Sequence, residues 1–263
     1  MIDLFPSRTV ALELLQWQMH WYGLLYLVAF LVAWVLLPRL QRLRSLSFSK
    51  EEWANVLSWA VIGVIVGGRL GFVLFYEPAY FLAHPFEVFA VWHGGMSSHG
   101  GFLGVTLALL FALRHATWEQ KLAIADIVVV PIALGLACGR IGNFINQELY
   151  GIVTALPWGI RVPGEEGLRH PTQIYAVLKD LLIALLCFVQ LRARPVIVGR
   201  TFSLFLIAYG TLRFLIEYVR VQPYGVMALG PVVLTPGQLL TLPLVLAGMG
   251  LWWWTGRGAR RGA

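Results

Sequence analysis

The chemistry of this chain is concentrated in a short stretch near its middle. Gly139 to Gly151 reads GRIGNFINQELYG and gathers Arg140, Asn143, Asn146, Gln147 and Glu148 directly after the apolar run Ile124–Cys138. A charge at the centre of a bilayer costs roughly 2.5–3.5 kcal/mol on insertion scales, so such residues face a bundle interior or a wet cavity. On a helix Arg140, Asn143 and Gln147 stand at i, i+3 and i+7 and share a face. Gly135 and Gly139, four apart, predict a closely approaching neighbour helix. The expected object is one wall of a polar pocket.

Other costly residues qualify for the same pocket. Arg69 follows Gly67 and Gly68, with Gly71 close behind. HGGMSSHGGFLG, His93 to Gly104, predicts a glycine-relaxed re-entrant turn lining a cavity. At its centre His99 could move a proton or bind an anion. Arg213, Glu217 and Arg220 share a helix face, which fits an internal Arg213–Glu217 salt bridge as well as an anion site. Lys179 reads either as snorkelling to the interface or as a partner of the adjacent Asp180. His20-Trp21-Tyr22-Gly23 opens the first apolar run, and RHPTQIY, with His170 and Gln173, opens the fifth; Pro171 suits a first helical turn. Several arginines around one pocket imply an anion, and a planar guanidinium matches phosphate. A phosphate within a bilayer points to a phospholipid headgroup. No spacing of His, Cys, Asp and Glu suits a metal, and no nucleophile elbow or P-loop occurs. Cys138 and Cys187 read as small core residues. Neither metal nor cofactor is expected, so the chemistry is acid–base and electrostatic.

These residues need a frame, and composition supplies it. The chain has 263 residues, 59% hydrophobic and only 13% charged, about half the charge of a water-soluble domain. Runs long enough to cross about 30 Å of hydrocarbon fall near 18–37, 53–76, 97–113, 122–145, 173–191, 201–219 and 235–255. The expectation is an all-α integral membrane protein of seven transmembrane helices, one polytopic domain over 1–263 with a small periplasmic loop region. Arg39, Arg42, Arg44 and Lys50, then Arg114 and Lys121, then Arg192, Arg194 and Arg200, then Arg257, Arg260 and Arg261 fall on one side. Arg8, Arg161, Arg169 and Arg220 fall on the other. By the positive-inside rule the N-terminus is outside and the C-terminus cytoplasmic. That distribution explains the net charge of +7 without a nucleic-acid partner. The segment before the first run is not basic and has no small-residue cleavage site, so no signal peptide is expected.

Six segments, in order and over nearly the whole chain, resemble the prolipoprotein diacylglyceryl transferase family: HWYGLLY, GGRLGFVLFY, WHGGMSSHGGFLG, GRIGNFINQELYG, RHPTQIY and Gly210 to Pro223. GRIGNFIN with the following ELYG is the most specific of them. The resemblance implies a multi-pass enzyme of the bacterial inner membrane with its active site in the periplasmic half. Such an enzyme moves the diacylglyceryl group of phosphatidylglycerol to the lipobox cysteine of a prolipoprotein, forming a thioether and releasing glycerol phosphate. It also implies roles. Arg140 and Arg220 grip phosphate, Asn143 orients the headgroup, His99 serves as base or proton relay, and Tyr22 supports by a hydrogen bond. Glu148 and Gly151 match the rest of the signature, and with the polar residues Arg69, Asn146, His170 and Gln173 they complete the expected substrate site. The pattern departs where Ala176 follows Tyr175 in place of the family's usual Glu, and where Val221-Gln222-Pro223 follows Arg220 with no acid. The competing expectations are a non-catalytic phospholipid-binding paralogue, which would lose His99 or Tyr22, and a transporter, which would show an internal repeat.

Overall fold

Buried polar groups and widely exposed apolar ones accompany an apolar core in this structure, a computed structural model describing residues 2–4, 8–14, 17–222, 227–229 and 232–261. Asp126, Asp180, Gln173, Gln238 and Glu217 are all buried, whereas Phe75, Leu74 and Leu246 are 79%, 62% and 67% exposed. That inversion suits hydrocarbon as the surrounding solvent.

The order is β1 (Ile2–Leu4), β2 (Val10–Leu14), β3 (Trp17–His20), α1 (Trp21–Leu40), α2 (Lys50–Phe75), α3 (Pro78–Ala83), α4 (Ser98–Ala112), α5 (Trp118–Asn146), α6 (Thr172–Arg192), α7 (Arg200–Glu217), β4 (Met227–Leu229), β5 (Val232–Leu234) and α8 (Pro236–Arg261). Helices thus cover all seven expected runs. Five are long and apolar enough to cross a membrane: α1, α2, α5, α6 and α8. The apolar α4 is shorter, and α7 carries Arg200, Arg213 and Glu217 within its length. The first helix begins at Trp21, later than expected, because the residues before it form strands. These make an antiparallel sheet in the order β1-β2-β3, with Ile2 opposite Leu14 and Leu14 opposite Trp17.

Local chemistry sets the helix starts. Ser49 Oγ accepts from Glu52 N at 3.2 Å while Glu52 Oε2 accepts from Ser49 N at 2.7 Å, a capping box opening α2. Thr117 with Gln120 repeats the device before α5, and Thr235 with Gln238 before α8. At the other end of α5, Gln147 turns to φ 57° and ends the helix, a left-handed residue just past the last turn.

Contacts divide the chain into two compact units, Met1–Leu46 with Leu122–Ala263, and Ser47–Lys121. In the second, α2 and α4 meet along glycines: a side chain on Gly63 would come within 2.7 Å of Gly104 O, and one on Gly71 within 2.7 Å of Gly100 Cα. The glycines beside Arg69 therefore do allow close helix packing. In the first, a network ties the helix ends opposite the polar stretch. Arg44 Nε donates to Asp126 Oδ2 at 2.7 Å, Nη1 to Leu191 O at 2.9 Å and Nη2 to Thr201 Oγ1 at 2.9 Å. Asp126 also accepts from Gly199 N at 2.9 Å and Phe202 N at 2.8 Å. Arg44, expected as a cytoplasmic loop charge, is in fact buried and paired.

Candidate active site

The signature stretch supplies a chain of hydrogen bonds at the end of α5. Arg140 Nη1 donates to Asn143 Oδ1 at 3.3 Å, and Asn143 Nδ2 donates to Glu148 Oε1 at 2.8 Å. Asn146 Nδ2 reaches the same carboxylate oxygen at 3.5 Å. Arg140 and Asn143 share a face as expected. Gln147 does not join them, because the helix has ended and its side chain folds back to Phe144 O at 2.7 Å. Of the two spaced glycines, Gly135 meets α1 at Ala29, while nothing lies close to Gly139. The tight contact with α1 falls instead at Gly142, where a side chain would lie 2.6 Å from the Tyr22 ring. Tyr22 therefore stands against the turn that carries Arg140 and Asn143.

Two further helices bring cations to this wall. Arg140, Leu149, Thr172, Gln173, Ala176, Lys179, Arg213, Ile216 and Arg220 line one narrow hollow. Its interior of about 20 Å³ has room for about one water molecule or phosphate oxygen. On α6 the lining residues Thr172, Ala176 and Lys179 stand at i, i+4 and i+7, and on α7 Arg213 and Ile216 stand at i and i+3, so each helix turns one face inward; Arg220 comes from just past the end of α7. Arg213 pairs with Glu217, and Arg220 Nη1 lies 3.5 Å from the same carboxylate oxygen. Lys179 pairs with Asp180 and sits 4.2 Å from the Tyr209 ring centre. Both internal pairs foreseen from spacing are present, yet neither removes its cation from the hollow. Four basic side chains line it, and among the described residues Asp180 and Glu217 pair directly with them. Even counting Glu148, reached through Asn143, the charge balance is positive. Such a set can hold an anion and stabilise charge that grows on it. Sequence reasoning gave Lys179 little weight; its i+7 spacing from the Thr172 of RHPTQIY was the available signal.

The outer loop positions the rest. Gly151 N donates to His170 O at 2.9 Å, and Gly151 bridges Arg220 in an antiparallel pairing. A side chain there would lie 2.5 Å from His170 Cβ and from Val219 O, so only glycine lets the loop hold Arg220 this closely. His170 Nδ1 lies 3.1 Å from Tyr175 Oη, which accepts from Trp158 Nε1 at 2.7 Å. Gln173 Nε2 donates to Glu148 O at 2.8 Å. Tyr150 Oη donates to Glu165 Oε1 at 2.5 Å, and Arg169 Nη2 donates to Glu165 Oε2 at 2.6 Å. The Glu165 bond holds the Tyr150 phenol above its ordinary range.

Arg69 and His99 belong to the other unit. Arg69 donates Nε to Val88 O at 2.9 Å, Nη1 to Gly94 O at 2.6 Å and Nη2 to Glu87 O at 2.5 Å. Its guanidinium thus fastens segment 87–95 by main-chain carbonyls. Gly94 and Gly95 take φ 82° and 72° there, so part of the glycine-rich segment is an open turn. The remainder is the start of α4, capped by Ser97 accepting from Gly100 N at 3.2 Å. His99 falls in the first turn of α4, and its side chain lies outside the described residues. Among the described residues no cluster of His, Cys, Asp and Glu could hold a metal ion.

A family model described as prolipoprotein diacylglyceryl transferase matches residues 9–254. A phosphatidylglycerol–prolipoprotein diacylglyceryl transferase of Methylibium petroleiphilum is 44% identical over 260 residues, covering 95% of this chain and 97% of that protein. One of Polaromonas sp. is 43% identical over 267 residues, covering 95% and 94%. One of Geobacter sulfurreducens is 44% identical over 238 residues, covering 88% and 89%. A match that holds the signature stretch and reaches every long helix places the chain in the prolipoprotein diacylglyceryl transferase family.

Proposed function

We propose that this multi-pass membrane enzyme takes the diacylglyceryl group from phosphatidylglycerol and joins it to the lipobox cysteine of a prolipoprotein, the first step of lipoprotein maturation. The relatives' names supply the two substrates. The observation that carries the residue assignment is the convergence of Arg140, Lys179, Arg213 and Arg220 on one hollow. A phosphodiester carries one negative charge, and its departing monoester gains another. The cysteine sulfur attacks the glyceryl carbon, a C–S bond forms, the C–O bond to phosphate breaks, and both electrons of that bond leave on the phosphate oxygen. Arg140, Arg213 and Arg220 hold that oxygen and its neighbours where charge grows, which is where fixed donors lower a barrier. The narrow hollow has room for one phosphate oxygen, while the acyl chains remain in lipid.

A thiol has an ordinary pKa near 8.5, so the attack needs a proton acceptor or an electropositive site. The hollow supplies the second. His99 remains the proposed acceptor on its residue type and motif. Asn143 and Glu148 orient Arg140, Tyr22 supports that turn, and Gly151 with His170 places Arg220. Tyr22 at the start of α1, Asn143 at the end of α5, Gln173 at the start of α6 and Arg220 just past α7 all lie at one end of their unit, which supports an active site on one side of the membrane. With the basic excess in the other loops, that side is the periplasmic half of the bacterial inner membrane.

The test is direct. Purified protein is supplied with phosphatidylglycerol and a lipobox peptide, and diacylglyceryl-peptide and glycerol phosphate should appear in equal amounts. Absence of the thioether product, or full turnover by both Arg140→Ala and Arg220→Ala, would sink the reading.

A further inference from the structure

Three non-glycine residues among the described ones have positive φ, and two of them, Gln147 and Leu149, flank Glu148 at φ 57° each. The left-handed region is costly for a residue with a Cβ, and a bulky leucine persists there only where its surroundings hold it. Helix α6 supplies the hold. Thr172 Oγ1 donates to Leu149 O at 2.6 Å and Gln173 Nε2 to Glu148 O at 2.8 Å, so adjacent side chains grip adjacent carbonyls. The next carbonyl, Tyr150 O, accepts from Val221 N at 3.3 Å. Thr172 is 3% exposed, and a hydroxyl has one proton to give. With that proton on Leu149 O, Thr172 has none left to donate to a ligand in the hollow it lines. Its influence runs through the turn. That turn carries Glu148, whose Oε1 accepts from Asn143 Nδ2 at 2.8 Å, while Asn143 Oδ1 accepts from Arg140.

We propose that Thr172 is a positioning residue for the transfer: its hydroxyl holds Leu149 in the left-handed conformation that aims Glu148 at Asn143 and so fixes Arg140. This rests on the proposed function and adds to it the device that keeps the signature turn bent. Without the hydroxyl, Leu149 O loses its donor and the strained residue relaxes toward negative φ, carrying the Glu148 carboxylate off Asn143. Arg140 keeps its charge but loses its fixed aim. Phosphate binding then survives while the rate falls, because orientation matters most where charge develops. A glycine at position 149 takes the same φ without strain, so it needs the clamp less.

The experiment is a double-variant cycle on Thr172→Val and Leu149→Gly, read as kcat and KM for phosphatidylglycerol with one lipobox peptide. Thr172→Val keeps the shape and removes the donor; it should lower kcat by about tenfold with KM changed less than about twofold. Thr172→Ser, which keeps the hydroxyl, should recover most of the rate. In the Leu149→Gly background the same valine substitution should cost less than about threefold. Equal cost in both backgrounds, or a serine variant as slow as the valine one, would overturn the proposal. Thermal melting decides it without relying on the valine variant: with Thr172 intact, Leu149→Gly should melt above Leu149→Ala, the reverse of the usual order. Alanine melting at or above glycine would overturn it as well. A wild type that transfers nothing would overturn the enzymatic reading, and the melting order would still decide the clamp.

Discussion

Arg213 is the residue whose replacement says most. It shares the Glu217 carboxylate with Arg220, so removing it does not leave that carboxylate alone, and the fold should tolerate Arg213→Ala. Its loss withdraws a donor from the growing phosphate charge. We expect kcat/KM to fall by about 10²–10³, or about 2.7–4 kcal/mol of transition-state stabilisation, with an unfolding temperature near wild type. Arg213→Lys should recover only part of the rate, because an ammonium keeps the charge but not the two-pronged donor. An unchanged rate in both variants would return Arg213 to the purely internal salt bridge that its spacing to Glu217 also allowed. Single residues were legible to different degrees. Arg140 and Arg220 could be selected from motif and topology, since a guanidinium at membrane depth needs a reason. Lys179 was undervalued because its neighbour Asp180 offered a sufficient partner, and spacing cannot say that a paired lysine still faces a cavity.

At the scale of elements, packing and loop geometry make separate predictions. Helices α2 and α4 touch backbone to backbone at their glycines, so Gly71→Val should push them apart. Overpacking costs typically 1–3 kcal/mol, readable as a lowered thermal transition of detergent-purified protein; no shift would mean that the two helices do not meet there. The outer loop is held by Tyr150, Glu165 and Arg169. The Tyr150 phenol is raised by its bond to Glu165, so its contribution is present below about pH 10, the ordinary tyrosine value, and is lost as pH rises through the higher folded value. Hydrogen exchange across 150–170 should therefore quicken at strongly alkaline pH, and Tyr150→Phe should show the quicker exchange already at neutral pH. The first helix shows what a hydropathy reading overlooks. The expected span reaches back to residue 18, but β3 occupies Gln18–His20 because β2 pairs with them, and the start of a helix is where hydropathy says least.

Across the whole molecule, two polar clusters mark opposite ends of the larger unit. Thr172 lines the hollow and Leu191 O receives Arg44; at 1.5 Å per residue they are about 28 Å apart along α6. The Arg44–Asp126 pair, with side-chain exposures of 1% and 0%, fastens the end away from the site. Asp126→Ala leaves a buried guanidinium uncompensated and should cost about 3–5 kcal/mol, measured by unfolding in detergent, while kcat at a permissive temperature stays near wild type. Orientation has its own check. Glu166→Cys should react with a membrane-impermeant maleimide in intact cells and Ser45→Cys only after lysis; the reverse pattern would invert the topology. The sequence alone determined where the long helices run and which charges are costly enough to need a reason, because hydrocarbon tolerates only long apolar runs and makes each buried charge conspicuous. Only the tertiary structure decided which cations meet. Arg140, Lys179 and Arg213 converge through the rotation and register of their helices and Arg220 through its pairing with Gly151, while Arg44 turns inward to an aspartate and Arg69 to main-chain carbonyls, and no spacing along a chain encodes those choices.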